Sequence, residues 1–132
     1  MLKQNLDALA RHSPSTLYFM NQGIKAEPER VECIEAKSGA LTLKIHTGER
    51  ELLVHSGRDP EQEAERFVRK IEDTDGNFFV IYGMGLGYHV RSFFERVVKK
   101  SPLFKLLVIE PSFNVFNAAL SRFDFSDIIA HP

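Results

Sequence analysis

The chain has 132 residues, 43% of them apolar and eleven of them Phe, with a charged fraction of 27% mixed in sign; such a composition builds a globular core and excludes an intrinsically disordered chain. Seventeen basic against eighteen acidic residues leave a formal charge of -1, and no Lys/Arg block is dense enough to track nucleic acid or an acidic membrane. The longest apolar runs fall far short of the ~20 residues that cross a bilayer, and the first residues lack a signal peptide's apolar core, so a cytoplasmic location is expected.

In chain order, Leu2, Leu6 and Leu9 form one helical stripe that Ser13-Pro14-Ser15 ends. The stretch TLYFMNQGIKAEPER has no clear period and reads as a linker. From Val31 the pattern changes to three β-type runs, VECIEA, LTLKIH and ELLVH, separated by Ser38-Gly39 and Gly48-Glu49. A two-residue turn at 48 and 49 pairs Ile45 with Leu52 and Leu43 with Val54, and sends Lys44, His46, Glu51 and His55 to the opposite face. Gly48 at the first central position suits a type II′ turn.

Asp59-Pro60 opens a helix with an N-cap acid and Pro at the first helical position, and Gln62 stands where a capping box places its return partner. Ala64, Phe67, Val68 and Ile71 form its apolar side, and Asp73-Thr74-Asp75-Gly76-Asn77 stops it. FFVIY at 78 to 82 is unalternating, the pattern of a strand covered on both faces. Val90, Phe93, Phe94, Val97 and Val98 mark the next helix, Ser101-Pro102 breaks it, and FKLLVIE supplies a second buried strand. A further helix carries Phe113, Phe116 and Leu120 inward, and DIIAHP reads as the start of another strand.

The expected fold class is therefore α/β: residues 1–57 as an N-terminal helix and antiparallel β-meander, and residues 58–132 as a Rossmann-like βαβα half. Doubly wound sheets usually carry five or six strands. Two parallel strands imply either the first part of a longer polypeptide or a subunit that covers its open edge by oligomerising.

The stretch that bears most on chemistry is FFVIYGMGLGYHV, residues 78 to 90. Gly83 permits a sharp exit from the strand, Gly85 lets a ligand approach the backbone, and the helix that follows presents unpaired N–H groups and a partial positive charge. Glu110 ends the second strand near the spacing at which dinucleotide-binding folds place an acid that accepts from ribose hydroxyls. Gly83, Gly85, Gly87 and Glu110, with Tyr88 and His89 beside them, are thus the candidate site for a nucleotide or S-adenosylmethionine. The dinucleotide pattern G-x-G-x-x-G would need glycine where this chain has Tyr88, which argues against NAD. Spacing at 83, 85 and 87 is similar to that of S-adenosylmethionine-dependent methyltransferases and aminopropyltransferases, though many of the former carry an acid where Ile81 stands. An equally economical reading is that the glycines only let a strand feed a helix, with Glu110 capping the Pro111-Ser112 helix start and His89 bonded to a nearby carbonyl.

Other constellations are weaker. Cys33 is alone, so it forms no internal disulfide and reads as a half-buried strand residue. His12, His46, His55, His89 and His131 lack metal-ligand spacing, and no metal is expected. Glu61, Glu63 and Glu65 with Arg66 and Arg69 read as a salt-bridged surface, and Ser56-Gly57-Arg58-Asp59 as a strand-to-helix turn able to take an anion.

Several motifs together resemble one family. VECIEAKSGALTLKI, the block S-G-R-D-P-x-x-E-A-E-R-F at 56 to 67, FFVIYGMGLGYHV and VIEPSFNVFNAAL are similar to the N-terminal domain of the motility-associated factor (Maf) glycosyltransferases, a likeness that covers residues 1 to 125. The resemblance implies a cytoplasmic bacterial protein that transfers a nonulosonic acid, such as pseudaminic or legionaminic acid, from its CMP-activated form to Ser or Thr of flagellin. It places that chemistry in a central, sialyltransferase-like domain outside this region, so no catalytic residue is carried over to any position here. Some proteins related through that central domain are archaeal pterin pyrophosphokinases. The implied partners are the downstream catalytic domain, flagellin, or a second copy of the chain, with an accessory, non-catalytic role for these residues.

Overall fold

A computed structural model describes residues 1–22, 29–71 and 76–132. Two helices, α1 (Leu2–His12) and α2 (Pro14–Asn21), precede the antiparallel strands β1 (Arg30–Glu35), β2 (Leu41–Thr47) and β3 (Arg50–Leu53). Helix α3 (Pro60–Arg69) leads to β4 (Phe78–Tyr82), α4 (Tyr88–Val98), β5 (Lys105–Ile109), α5 (Phe113–Arg122) and a short α6 (Ser126–Ile129). The strands form one antiparallel sheet in the order β1-β2-β3 and a parallel pair β4-β5, so the α/β class with a meander ahead of a Rossmann-like half is the observed architecture.

The meander has the expected register. Ile45 lies opposite Leu52, the Val54 N–H donates to the Leu43 carbonyl at 2.9 Å, and Gly48 takes a positive φ of 59°. Val31, Cys33 and Ile45 pack with fully buried Leu43 against Leu86 and Val115 of the Rossmann-like half. On the reverse face Lys44 pairs with Glu51 at 3.2 Å, and His46 lies 3.2 Å from both Glu32 and Glu51. Burial stops at β3, where Leu52 and Leu53 are exposed.

Asp59 caps α3 by accepting the Gln62 N–H at 2.9 Å. The return half of the capping box is replaced: the Asp59 N–H donates to Ser56 Oγ, and the Gln62 side chain is taken by Arg66. Ala64 and Val68 are buried as expected, but Phe67 is 56% exposed. The helix terminator proposed at 73 to 77 lies mostly outside the described residues, as does the 23 to 28 portion of the linker.

Three expectations need correction. Residues 14–21 are helical, with Pro14 at the first helical position, where its missing N–H costs nothing. The final stretch contains a helical turn, α6, with Phe125 at its N-cap and the first helical N–H, of Ser126, donating to the Asp124 carboxylate at 2.9 Å. Most consequential, the parallel strands are covered on one face only. Ile81, Leu106 and Val108 pack onto a core of Leu9, Met84, Val90, Ala119, Leu120 and Phe125, while Phe78, Val80, Tyr82, Leu107 and Ile109 on the alternate face are exposed.

The covered side is fastened by a residue outside every apolar pattern. Asn5, fully buried in α1, donates to the Leu120 and Phe123 carbonyls at 2.9 and 2.7 Å and accepts the Phe125 N–H at 2.7 Å. It thereby satisfies carbonyls at the end of α5 that the helix leaves unpaired.

Candidate functional site

The chain leaves β4 through three glycines, all in the left-handed region, at φ of 86°, 55° and 86° for Gly83, Gly85 and Gly87. Two of them are required by space as well as by backbone. A Cβ on Gly85 would stand 2.5 Å from His55 Nε2, and one on Gly87 would collide with the Phe125 ring. Close approach does occur at Gly85, and the group that approaches is the protein's own histidine.

The five successive N–H groups of the turn all have internal acceptors. Gly83 donates to the Ile109 carbonyl at 2.7 Å. Met84 and Gly85 donate to Glu110 Oε2 at 2.7 and 3.1 Å, Leu86 donates to His55 Nε2 at 2.7 Å, and Gly87 donates to the Met84 carbonyl at 2.9 Å. Glu110 Oε1 also accepts the Ser112 N–H at 2.9 Å, so the carboxylate spends three of its roughly four acceptor positions on backbone donors. Glu110 thus occupies the place that a bound anion would take in a nucleotide-binding turn.

His55 is the residue that sequence reasoning misplaced. Alternation sends it to the charged face of the meander, but β3 ends at Leu53 and the chain turns inward, leaving His55 only 7% exposed. Thr42 Oγ donates to its carbonyl at 3.0 Å, fixing the turn. Because Nε2 accepts a backbone N–H, the neutral ring carries its proton on Nδ1. Burial first, and the nearby His89 second, push its pKa down to about 4. No spacing rule announces this contact, which joins residues 31 positions apart.

The remaining candidates converge on the same place. His89 Nε2 donates to the Gly83 carbonyl at 2.8 Å, and its ring lies 6.0 Å from that of Phe67. Tyr88 points its hydroxyl to the Leu41 carbonyl at 2.8 Å and stacks edge-on against His55 at 5.2 Å, tying the glycine turn to the meander; burial raises its pKa. A cleft of about 630 Å³ opens beside the turn, with Tyr82, Phe67, His89, Glu110 and Val54 among its walls. It lies at the carboxyl end of β4, where open α/β sheets place ligands. Asn114 of α5 donates to the Glu29 carbonyl at 3.1 Å and Ser112 binds the Glu29 carboxylate, so the cleft's far wall is hydrogen-bonded to the start of the meander.

Among the described residues there is no group of three His, Cys, Asp or Glu able to hold a metal ion, and no helix long and apolar enough to cross a membrane. Cys33 is half-buried in β1 and packs on the meander core.

A search of curated proteins and a search of solved structures return no match to the chain. A family model described as the glycosyltransferase Maf N-terminal domain matches residues 22–131. That span takes in the meander, the capped α3, the glycine turn with Glu110, and α5, so the chain belongs to the Maf glycosyltransferase N-terminal domain family.

Proposed function

We propose that this chain is the accessory N-terminal domain of a cytoplasmic Maf-type enzyme that transfers a nonulosonic acid from its CMP-activated form to Ser or Thr of flagellin, and that its role is docking. The observation that carries the docking role is the open face of the parallel pair. Val80 lies beside Leu107 and Tyr82 beside Ile109, and the four are exposed to between 39% and 74%. Parallel sheets are normally covered on both faces, and a contiguous apolar patch of this kind marks an interaction surface. The family match, to an N-terminal domain, supports the downstream part of the same polypeptide as the occupant.

Two measurements test this. The 132-residue chain incubated with flagellin and a CMP-activated nonulosonic acid should give no transfer, and measurable transfer would overturn the accessory role. The chain should also bind the separately produced remainder of its polypeptide, with Val80→Lys/Leu107→Lys weakening that complex by about tenfold or more. Undiminished binding would remove the sheet face from the interface.

The cleft beside the glycine turn is the observation that favours a second reading, an S-adenosylmethionine-dependent transferase using Gly83, Gly85, Gly87 and Glu110, with Tyr88 and His89 nearby. Its support is thinner, because the turn's donors already have acceptors. Micromolar binding of S-adenosylmethionine that disappears in Glu110→Ala would favour it; binding of neither that ligand nor CMP favours docking.

A further inference from the structure

A second depression lies on the outer side of α3, apart from the glycine turn and independent of the docking role. Its floor is formed by two backbone turns held together: the Lys37 N–H donates to the Gly57 carbonyl at 3.1 Å and the Ser38 N–H to the Arg58 carbonyl at 2.9 Å. Glu63 Oε2 then ties α3 to this floor by accepting the Ser56 N–H at 2.8 Å. The result is a braced cleft of about 750 Å³, within the 300 to 1,000 Å³ range of small-molecule sites.

Its charge runs against that of the whole chain. Among the described residues, Lys37, Arg58, Arg66 and Lys70 line it, against Asp59 and Glu63. Each carboxylate accepts one backbone N–H, Asp59 at the α3 N-cap and Glu63 from Ser56, so the lining keeps an excess of two positive charges. None of the four cations forms a salt bridge among the described residues; Arg66 reaches only the neutral Gln62 side chain. Ser56 Oγ accepts two N–H groups, from Arg58 and Asp59 at 3.1 and 3.2 Å, which leaves its own hydroxyl proton to donate outward. The exposed ring of Phe67 stands at the edge, shared with the cleft beside the glycine turn.

An excess of cations, none of them in a salt bridge among the described residues, lining a hydrogen-bonded concave surface suits a compact multivalent anion, and an exposed aromatic face beside them suits a planar ring. We infer that this cleft binds a phosphate-bearing small molecule, with Lys37, Arg58, Arg66 and Lys70 holding the phosphate and Phe67 taking an attached ring. An exposed ring at the rim and a closed floor favour such a ligand over an extended acidic protein surface, which would need a broader cationic area.

The test is calorimetric titration of the full-length protein with inorganic pyrophosphate, with adenosine diphosphate, and with a polyglutamate peptide, at low and moderate salt. Pyrophosphate and the nucleotide should bind below about 1 mM and weaken with salt. Lys37→Gln/Arg58→Gln should weaken both by about tenfold, and Phe67→Ala should weaken the nucleotide alone, with unchanged thermal unfolding in each variant. Absence of binding, affinity unaltered by the charge variant, or equal loss of both ligands in Phe67→Ala would overturn the assignment. Tighter binding of polyglutamate than of pyrophosphate would replace it with a protein-docking surface.

Discussion

The two sheets of this molecule solve the problem of covering their faces in opposite ways. The meander alternates, with Val31, Cys33, Leu43 and Ile45 turned to the core and Glu32, Lys44, His46 and Glu51 turned to water, where they pair with one another. The parallel pair does not alternate, and its second apolar face is left open. An alternating strand specifies its own solvent face, whereas an unalternating one specifies that something must cover it without saying whether the cover is in the same chain.

Four perturbations would break or sharpen this contrast, taken from the largest expected effect to the smallest. Ile81→Lys puts an unpaired charge under the covered face of β4 and should cost about 4 kcal/mol in chemical denaturation. A loss below about 1 kcal/mol would mean that the two faces of β4 are not different.

The joint between the two sheets is His55, and it titrates. Its folded pKa, about 4, lies below the ordinary 6.5, so the unfolded chain binds the proton more readily. The stability it provides is complete above pH 6.5 and is lost as the pH falls toward 4. Urea unfolding should lose about 3 kcal/mol across that window from this group. In His55→Gln the slope between pH 4 and 6.5 should be correspondingly shallower, and an unchanged slope would remove His55 from the joint.

Asn5→Ala strips the closed face of its fastening, since the Leu120 and Phe123 carbonyls and the Phe125 N–H lose their partner together. A loss of about 2 kcal/mol is expected, with faster amide exchange in α1 and α6. At the small end, Val80→Lys on the open face should shift the isolated chain's stability by about 0.5 kcal/mol or less. A large loss there would show that the open face is covered within the chain.

Much of the fold was legible because its signals are local. The Gly48 turn and the register of Ile45 opposite Leu52 follow from spacing, the start of α3 from Asp59-Pro60, and the strand-turn-helix passage from three glycines. Membership in the family was likewise readable in the blocks at 56 to 67 and 83 to 89. The helical 14–21 stretch and α6 are local misses, whereas the misses at Asn5, His55 and FFVIY share a cause, in that each depends on a partner distant in sequence. Asn5 is polar on an otherwise ordinary helix until Leu120 and Phe125 arrive. His55 follows the strand's alternation until the strand stops two residues early. FFVIY reads as buried because its composition is that of a buried strand, and composition carries no information about which chain supplies the cover. Of the residues singled out as a candidate site, Gly83, Gly85, Tyr88, His89 and Glu110 lie together in the fold. What the sequence could not reveal is that the donors of the turn are engaged from within.

That engagement has a consequence for any ligand that visits the turn. Glu110 is tethered next to Met84 and Gly85, so it competes as an intramolecular ligand with an effective concentration on the order of millimolar. A free anion must evict it and leave a second negative charge close by. As long as Glu110 holds these two N–H groups, an anion meets both a resident competitor and its charge at the turn, a cost that a neutral group does not carry.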